Sequence, residues 1–282
     1  MERWKQNLEV RSISLLSIKV SKNIYNYEAN ITDPNQEVYV FLHGFLGSSH
    51  DFDRVTDESN FQWLKLNLLG FGENRNQDVD HADFVQTNQI NELESIFAKL
   101  KLTKMNLVGY SMGGRIAIAY ALKYQSRLNK LILESTTAGI ENSQARKIRQ
   151  DHDAKLAEKV LKFGMEKFIV DWENMPLFKT QKDVNDTSFM FMHNQRLHQN
   201  NNNVAYSLLK MGTGSQPNYW PTISNLGGLK VYIIVGAKDS KFVQIGERLS
   251  QHINNSQIFI VENAGHNVHF ELPEAFNKII IQ

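Results

Sequence analysis

The sequence predicts an α/β protein, a mostly parallel, doubly wound sheet with an inserted helical cap. Three observations carry that prediction. Short apolar, β-branched runs alternate with helix-period patterns at both ends of the chain. The alternation stops between residues 137 and 212, where polar helical sequence takes over. A length of 282 residues accommodates one large core with such an insertion.

Taken in order, Val38-Tyr39-Val40-Phe41-Leu42 reads as a buried strand, and Ile90, Leu93, Ile96, Phe97 and Leu100 mark one face of a helix. Met105 to Tyr110 is a second strand, Arg115 to Tyr124 a helix rich in Ala and Ile, and Leu131-Ile132-Leu133 a third strand. Late in the chain, Val231 to Val235 and Ile258 to Val261 flank a helix with Phe242, Ile245 and Leu249 on its apolar face; a last helix opens with Pro273 in its first turn. Strand and helix in alternation imply right-handed crossovers and a parallel sheet. Between these parts, helical patterns span Ala145 to Lys162, Gly164 to Trp172 and Phe189 to Lys210, and the polar run Gln199 to Asn203 reads as a solvated loop or helix start. The expected division is a first core part at 1–136, a helical cap at 137–212 and a second core part at 213–282.

Composition narrows the chemistry. With no cysteine there is no disulfide, thiolate nucleophile or Cys-ligated metal, leaving oxygen and imidazole groups. Lys and Arg total 31 against 30 Asp and Glu, and no long block carries one sign, so there is no electrostatic footprint for nucleic acid. Mean hydropathy is -0.40, and no stretch approaches the ~20 apolar residues of a membrane helix. Met1 to Val20 mixes Glu2, Arg3, Lys5, Glu9, Arg11 and Lys19 with short apolar pairs, unlike a secretory signal, so the expected compartment is the cytoplasm.

Gly109-Tyr110-Ser111-Met112-Gly113 fits the G-x-S-x-G pattern, in which flanking glycines make room for a tight strand-to-helix turn. The bare pattern arises by chance in roughly one chain in ten of this length, so its placement matters more. An apolar strand ends at Tyr110 and a helix begins after Gly114, which puts Ser111 in the turn. Such a serine requires an acid after a later strand and a histidine after the last one. Asp239 and His266 stand at those places, although either alone could be a helix cap or a surface residue. After the first buried strand, His43-Gly44-Phe45 occupies the position that supplies one backbone amide of an oxyanion hole; Phe45 and Met112 are the expected donors.

Arg115 falls in the first turn of the helix after Ser111, where the positive end of the macrodipole disfavours a cation by a few tenths of a kcal/mol. An anion to hold, or a nearby acid, would account for it. In the cap, Arg146, Lys147 and Arg149 form a basic turn and Arg196 stands alone; by themselves they read as solvated charges. The sequence lacks a dinucleotide fingerprint and a phosphate-binding loop, and neither His50-Asp51-Phe52-Asp53 nor His266 with His269 matches a metal-ligand spacing, so no metal and no cofactor are expected.

These residues resemble the α/β-hydrolase superfamily, and longer strings are similar to one branch of it, the MenH family of 2-succinyl-6-hydroxy-2,4-cyclohexadiene-1-carboxylate synthases. The strings are FLHGFLGS (Phe41 to Ser48), VGYSMGGRIA (Val108 to Ala117), LILES (Leu131 to Ser135), DWENMPLF (Asp171 to Phe178), Gln195-Arg196-Leu197, MGTGSQPNYW (Met211 to Trp220), GAKDSKF (Gly236 to Phe242) and AGHNVH (Ala264 to His269). Those in the cap are the more specific, since the serine strings are common to many esterases. The resemblance implies Ser111, Asp239 and His266 as a triad and Phe45 and Met112 as oxyanion amides. It implies Arg115, Arg149 and Arg196 as substrate-binding residues and Tyr110 and Trp172 as aromatic site residues. The implied reaction eliminates pyruvate from a small polycarboxylate, an enolpyruvyl cyclohexene, with Ser111 as base and without a cofactor. A serine hydrolase and a non-catalytic ligand receptor are the competing functions on such a fold. Two departures stand out. Asn67-Leu68-Leu69-Gly70-Phe71-Gly72 replaces the family's Asp-x-Pro-Gly-x-Gly turn, and about twenty residues precede the family's usual start.

Overall fold

Parallel strands covered on both faces are apolar almost throughout, and β3 (Val38–Leu42) and β5 (Met105–Tyr110) are buried at every position. With β4 (Gln62–Leu66), β6 (Leu128–Glu134), β7 (Lys230–Gly236) and β8 (Ser256–Val261) they form the parallel order β4-β3-β5-β6-β7-β8. The computed structural model describes residues 14–57 and 59–282. Beyond β4 the sheet continues with β2 (Asn23–Asn30) and β1 (Leu16–Val20), both antiparallel, making eight strands. The apolar-run pattern does not predict this hairpin, because β1 is an edge strand with mostly exposed side chains. It accounts for part of the segment before the family's usual start; residues 1–13 lie outside the described residues.

The helices are α1 (Asp53–Thr56), α2 (Gln86–Lys99), α3 (Met112–Tyr124), α4 (Ser143–Glu173), α5 (Asp186–Leu197), α6 (Asn201–Met211), α7 (Ser240–His252), α8 (Val268–Glu271) and α9 (Pro273–Ile280). Alternate residues of β3 feed opposite faces of the sheet. Val38, Val40 and Leu42 join the core under α2, α3 and α7, while Tyr39 and Phe41 join the core under α1, α8 and α9. No helix among the described residues is long and apolar enough to cross a membrane.

Between β6 and β7 the chain runs through α4, α5 and α6 without a strand. Helical dihedrals lie on both sides of Gly164, which itself sits at φ 76° and ψ 176° and separates α4 into the two helical stretches that the sequence pattern marks. The pattern Phe189 to Lys210, read as one helix, is instead two, α5 and α6. Asn200 interrupts it because its side chain accepts the amides of Asn202 and Asn203 and so starts a new helix. Nor is the run Gln199 to Asn203 solvated throughout. Gln199 is buried, accepts the Gly72 amide at 3.2 Å and donates to the carbonyls of Leu46 and Gly47, while Asn203 donates to those of Gly70 and Arg75. These amides fasten the insertion to the loops after β3 and β4.

The Asn67 to Gly72 turn retains a buried polar anchor despite its departure from the family. Asn67 accepts the Ser49 amide at 2.9 Å and donates to Asn26, and Gly70 and Gly72 take positive φ. From this turn the Leu68 amide donates to His43 Nε2 at 3.0 Å, while His43 Nδ1 donates to the Gly44 carbonyl at 2.7 Å. Burial holds the His43 imidazole below its usual pKa. It stays neutral and braces the loop that carries Phe45.

The dihedrals at Gly164 lie in a region almost closed to side-chain-bearing residues, although a Cβ there would meet nothing within 4 Å. Gly164→Ala is expected to destabilise the chain by about 1–3 kcal/mol in denaturant unfolding through backbone strain alone. Unchanged stability would show that the break between the two halves of α4 adapts freely.

Candidate active site

The ends of β3, β5, β7 and β8 point to one side of the sheet, as ligand sites in parallel α/β proteins require. Ser111 lies between β5 and α3 at φ 49° and ψ -104°. Its amide donates to the Glu134 carbonyl at 2.9 Å, and its carbonyl accepts from the Arg115 amide and from Thr136 Oγ1 at 2.8 Å. A Cβ on Gly109 would stand 2.6 Å from the Gly113 carbonyl oxygen, so the pattern's first glycine serves close approach of strand and helix.

Ser111 Oγ donates to His266 Nε2 at 3.2 Å, and His266 Nδ1 donates to Asp239 Oδ2 at 2.7 Å. Asp239 has two jobs. Its other oxygen accepts the Phe242 amide at 3.3 Å and caps α7, so one side chain both accepts from His266 and starts the helix. Phe242 and Phe178 pack edge-on to the His266 ring at 4.5 and 6.0 Å, which limits its rotation and screens it from water.

A cavity of about 120 Å³ opens over Ser111 and His266, lined also by Phe45, Met112, Arg115, Arg149 and Trp172. A smaller recess beside it shares Phe45, Ser111, Trp172 and Phe178 and adds Tyr110 and Arg196. Every site residue named from the sequence therefore lines one of these two spaces, except Asp239, which stands behind His266. Met112 is the first residue of α3, where the amide has no intrahelical acceptor, and the Phe45 amide has no protein acceptor among the described residues. Trp172 packs between Phe45, at 5.1 Å, and Phe178, at 5.3 Å. Tyr110 is buried edge-on to His269, and burial pushes its hydroxyl well above the usual pKa, keeping it a neutral phenol.

The arginines differ from one another. Arg115 is only 8% exposed and donates to the Met211 carbonyl at 2.5 Å, so it caps the C-terminus of α6, where a cation is favoured. Among the described residues no carboxylate forms an ion pair with it, and burial, with Arg149 nearby, pulls its pKa down to about 10. Arg149 pairs with Asp153 at 2.8 Å. Arg196, expected as a solvated charge on its own pattern, is 6% exposed and bound to Glu173 and Gln181 at 2.9 Å each. It is ion-paired with Glu173, whereas Arg115 lines the cavity with no ion pair among the described residues, its charge offset only in part by the more distant Asp153.

The sequence reading missed Phe178, Phe242, Thr137, Ser207, Lys241 and Asn267, which also line these spaces. Their signal was weak because single apolar, hydroxyl, amide or lysine side chains read as ordinary packing or surface. Glu28, His50 and Asp53 form the one metal-like group among the described residues, and the buried Lys65 ammonium reaches both Glu28 and Asp53. That cation supplies the counter-charge for the two acids.

Residues 38–273 match the family described as alpha/beta hydrolase fold. A relative from Bacillus subtilis (strain 168), named as a candidate 2-succinyl-6-hydroxy-2,4-cyclohexadiene-1-carboxylate synthase, is 38% identical over 94% of this chain and 96% of its own. The solved structure of MenH from S. aureus superposes with a TM-score of 0.84 at 32% identity, covering 91% of this chain and 96% of that one. A thermophilic esterase from Thermogutta terrifontis, 23% identical with a TM-score of 0.79 over 95% of this chain and 97% of its own, shares the fold. With a match spanning residues 38–273 and 38% identity over nearly its whole length, the chain belongs to the α/β-hydrolase family and, within it, to the MenH branch.

Proposed function

We propose that the chain is a carbon–oxygen lyase of menaquinone biosynthesis. It would convert 2-succinyl-5-enolpyruvyl-6-hydroxy-3-cyclohexene-1-carboxylate into pyruvate and 2-succinyl-6-hydroxy-2,4-cyclohexadiene-1-carboxylate. The observation that carries this reading is Arg115, a buried guanidinium without a carboxylate partner among the described residues, in the same cavity as Ser111 and His266. Such a charge suits an anionic substrate, which a simple ester is not.

Ser111 Oγ, its proton drawn to His266 Nε2 and the resulting imidazolium held by Asp239, removes the ring proton next to the succinyl ketone. Charge builds on the ketone oxygen, where the amides of Phe45 and Met112 would donate. As that enolate collapses, the ring gains its second double bond and the carbon–oxygen bond to the enolpyruvyl group breaks. The departing enolate takes up a proton at its methylene carbon and becomes pyruvate. No acyl-enzyme forms and no cofactor takes part.

In this reading residues 137–212 act as a cap that closes over the substrate. Arg149, Arg196, Tyr110 and Trp172 orient its carboxylates and ring, and the enzyme works in the cytoplasm. Ester hydrolysis is the second reading, because a serine hydrogen-bonded to a His–Asp pair also serves acyl transfer.

Purified protein given the enolpyruvyl substrate should release pyruvate, followed with a coupled dehydrogenase, and Ser111→Ala should slow release by about 10²–10⁴-fold. Turnover of a simple ester without pyruvate would make the chain a hydrolase, and inertness towards both would make it a receptor. Arg115→Ala should lower kcat/KM for this substrate by about 10²-fold or more, since a desolvated charge pair is lost. Its melting temperature should fall only slightly, because the lost cap on the Met211 carbonyl is offset by no longer burying a cation. Unchanged kinetics with a large fall in melting temperature would make Arg115 a structural cap of α6.

A further inference from the structure

The small recess beside Ser111 contains an acid that the proposed chemistry does not use. Its volume is about 30 Å³, and its walls carry charges of both signs, Asp51 and Arg196, together with Tyr110 and Asn267. Such a space admits roughly two water-sized groups, so it takes one edge of a ring rather than a flexible arm. Asp51 lies in the short helix Ser49–Phe52 after β3, where its Oδ1 accepts the Ser48 amide at 3.4 Å and closes the cap of that helix. Among the described residues Oδ2 accepts no hydrogen bond and no cation pairs with either oxygen. A Cβ on Gly47 would stand 2.1 Å from Oδ2, so the glycine leaves room for this free oxygen. Asn267 is only 2% exposed; its Oδ1 accepts the Phe270 amide at 3.3 Å, which leaves Nδ2 without an acceptor among the described residues. Asp51 and Asn267 also wall an outer pocket of about 270 Å³ against α5, so the two side chains form the partition between it and the recess.

We propose that Asp51 is a specificity-determining residue which, with Asn267, receives the ring hydroxyl of the substrate while Arg196 holds the carboxylate on the adjacent ring carbon. The inference rests on the lyase reading and deepens it. The substrate of that reading carries three carboxylates and one hydroxyl, and the hydroxyl is the sole group on it that donates a hydrogen bond. An ionised carboxylate only accepts, and it repels the other anions of the ligand, so a free Asp51 oxygen in this recess suits that O–H and nothing else on the molecule. Asp51 accepts the hydroxyl proton and Asn267 Nδ2 donates to the hydroxyl oxygen, which satisfies both unpartnered groups. Hydroxyl and carboxylate sit on neighbouring ring carbons, as a small recess with an acid and a guanidinium requires. Seating that edge sends the succinyl and enolpyruvyl arms into the cavity of about 120 Å³ that Arg115 and Arg149 line. Ser111 borders both spaces and so meets the ring carbon next to the succinyl ketone. A hydroxyl bonded to an anion gains no proton, so it stays on the ring while the enolpyruvyl group leaves.

The test compares Asp51→Ala and Asp51→Asn with the unaltered chain, using the full substrate and its 6-deoxy analogue in the pyruvate assay. Asp51→Ala should lower kcat/KM for the full substrate by about 10–100-fold, the scale of a hydrogen bond to a charged group, and should affect the 6-deoxy analogue far less. Asp51→Asn keeps an acceptor oxygen and the helix cap, so it should lose less and melt near the parent. NMR titration with cyclohexanecarboxylate and the isomers of 2-hydroxycyclohexane-1-carboxylate reads the recess without turnover. In the unaltered chain one hydroxy isomer should bind about tenfold more tightly than the plain acid, and in Asp51→Ala the two should bind alike. Equal losses for both substrates in each variant, no preference for a hydroxy acid in the unaltered chain, or a preference that survives in Asp51→Ala would overturn the proposal. If the unaltered chain releases no pyruvate, the lyase reading fails separately. The titrations then decide alone, a hydroxyl preference lost with Asp51 sustaining the recess assignment and any other result overturning it.

Discussion

The turn between β5 and α3 constrains everything around it. Ser111 holds a positive φ that residues with side chains rarely adopt, and it does so because its neighbours over-determine it. The Glu134 carbonyl takes its amide, Thr136 and the Arg115 amide take its carbonyl, and the glycine at 109 lets the helix lie close to the strand. Only from that backbone does Oγ stand clear of the sheet and within reach of His266 Nε2. Behind the turn, Glu134 and His269 form a fully buried pair, in which His269 Nδ1 and its own amide donate to the two carboxylate oxygens. The strand that anchors Ser111 therefore also anchors α8, just past His266.

The helical insertion is bound into this arrangement by groups of different kinds. Gln199 and Asn203 bond the loops after β3 and β4, and Arg115 reaches from the core to cap α6. Trp172 and Phe178 complete an aromatic wall with Phe45. A buried guanidinium that satisfies one carbonyl and leaves its charge open costs folding free energy, which an anionic ligand would return on binding. The three arginines thus differ in consequence, since Arg149 and Arg196 already have Asp153 and Glu173 as partners.

Much of the site was legible because strand ends are predictable. A parallel sheet puts Phe45, Ser111, Asp239 and His266 just past the carboxyl ends of four of its apolar runs, and such runs are visible without coordinates. The hairpin β1–β2 was not legible, being short and half-exposed at an edge, nor was the split between α5 and α6, which depends on Asn200 choosing to cap. Polar residues such as Gln199 and Glu271 look like surface in sequence, because burial of a polar side chain depends on partners far along the chain.

By itself the sequence determined the alternating sheet, the strand-end placement of a serine, an acid and a histidine, and the absence of thiol chemistry, since these follow from local periodicity and residue type. The tertiary structure decided which charges are neutralised. It showed that Arg115 lines the cavity with no ion pair among the described residues while Arg196 is paired with Glu173, that Asp239 caps α7 and holds His266 at once, and that Glu271 joins the insertion to the histidine loop. The physical reason is range. Periodicity and turn chemistry act over a few residues, whereas a hydrogen bond between Thr180 and Glu271, 91 positions apart, exists only once the chain has folded back on itself.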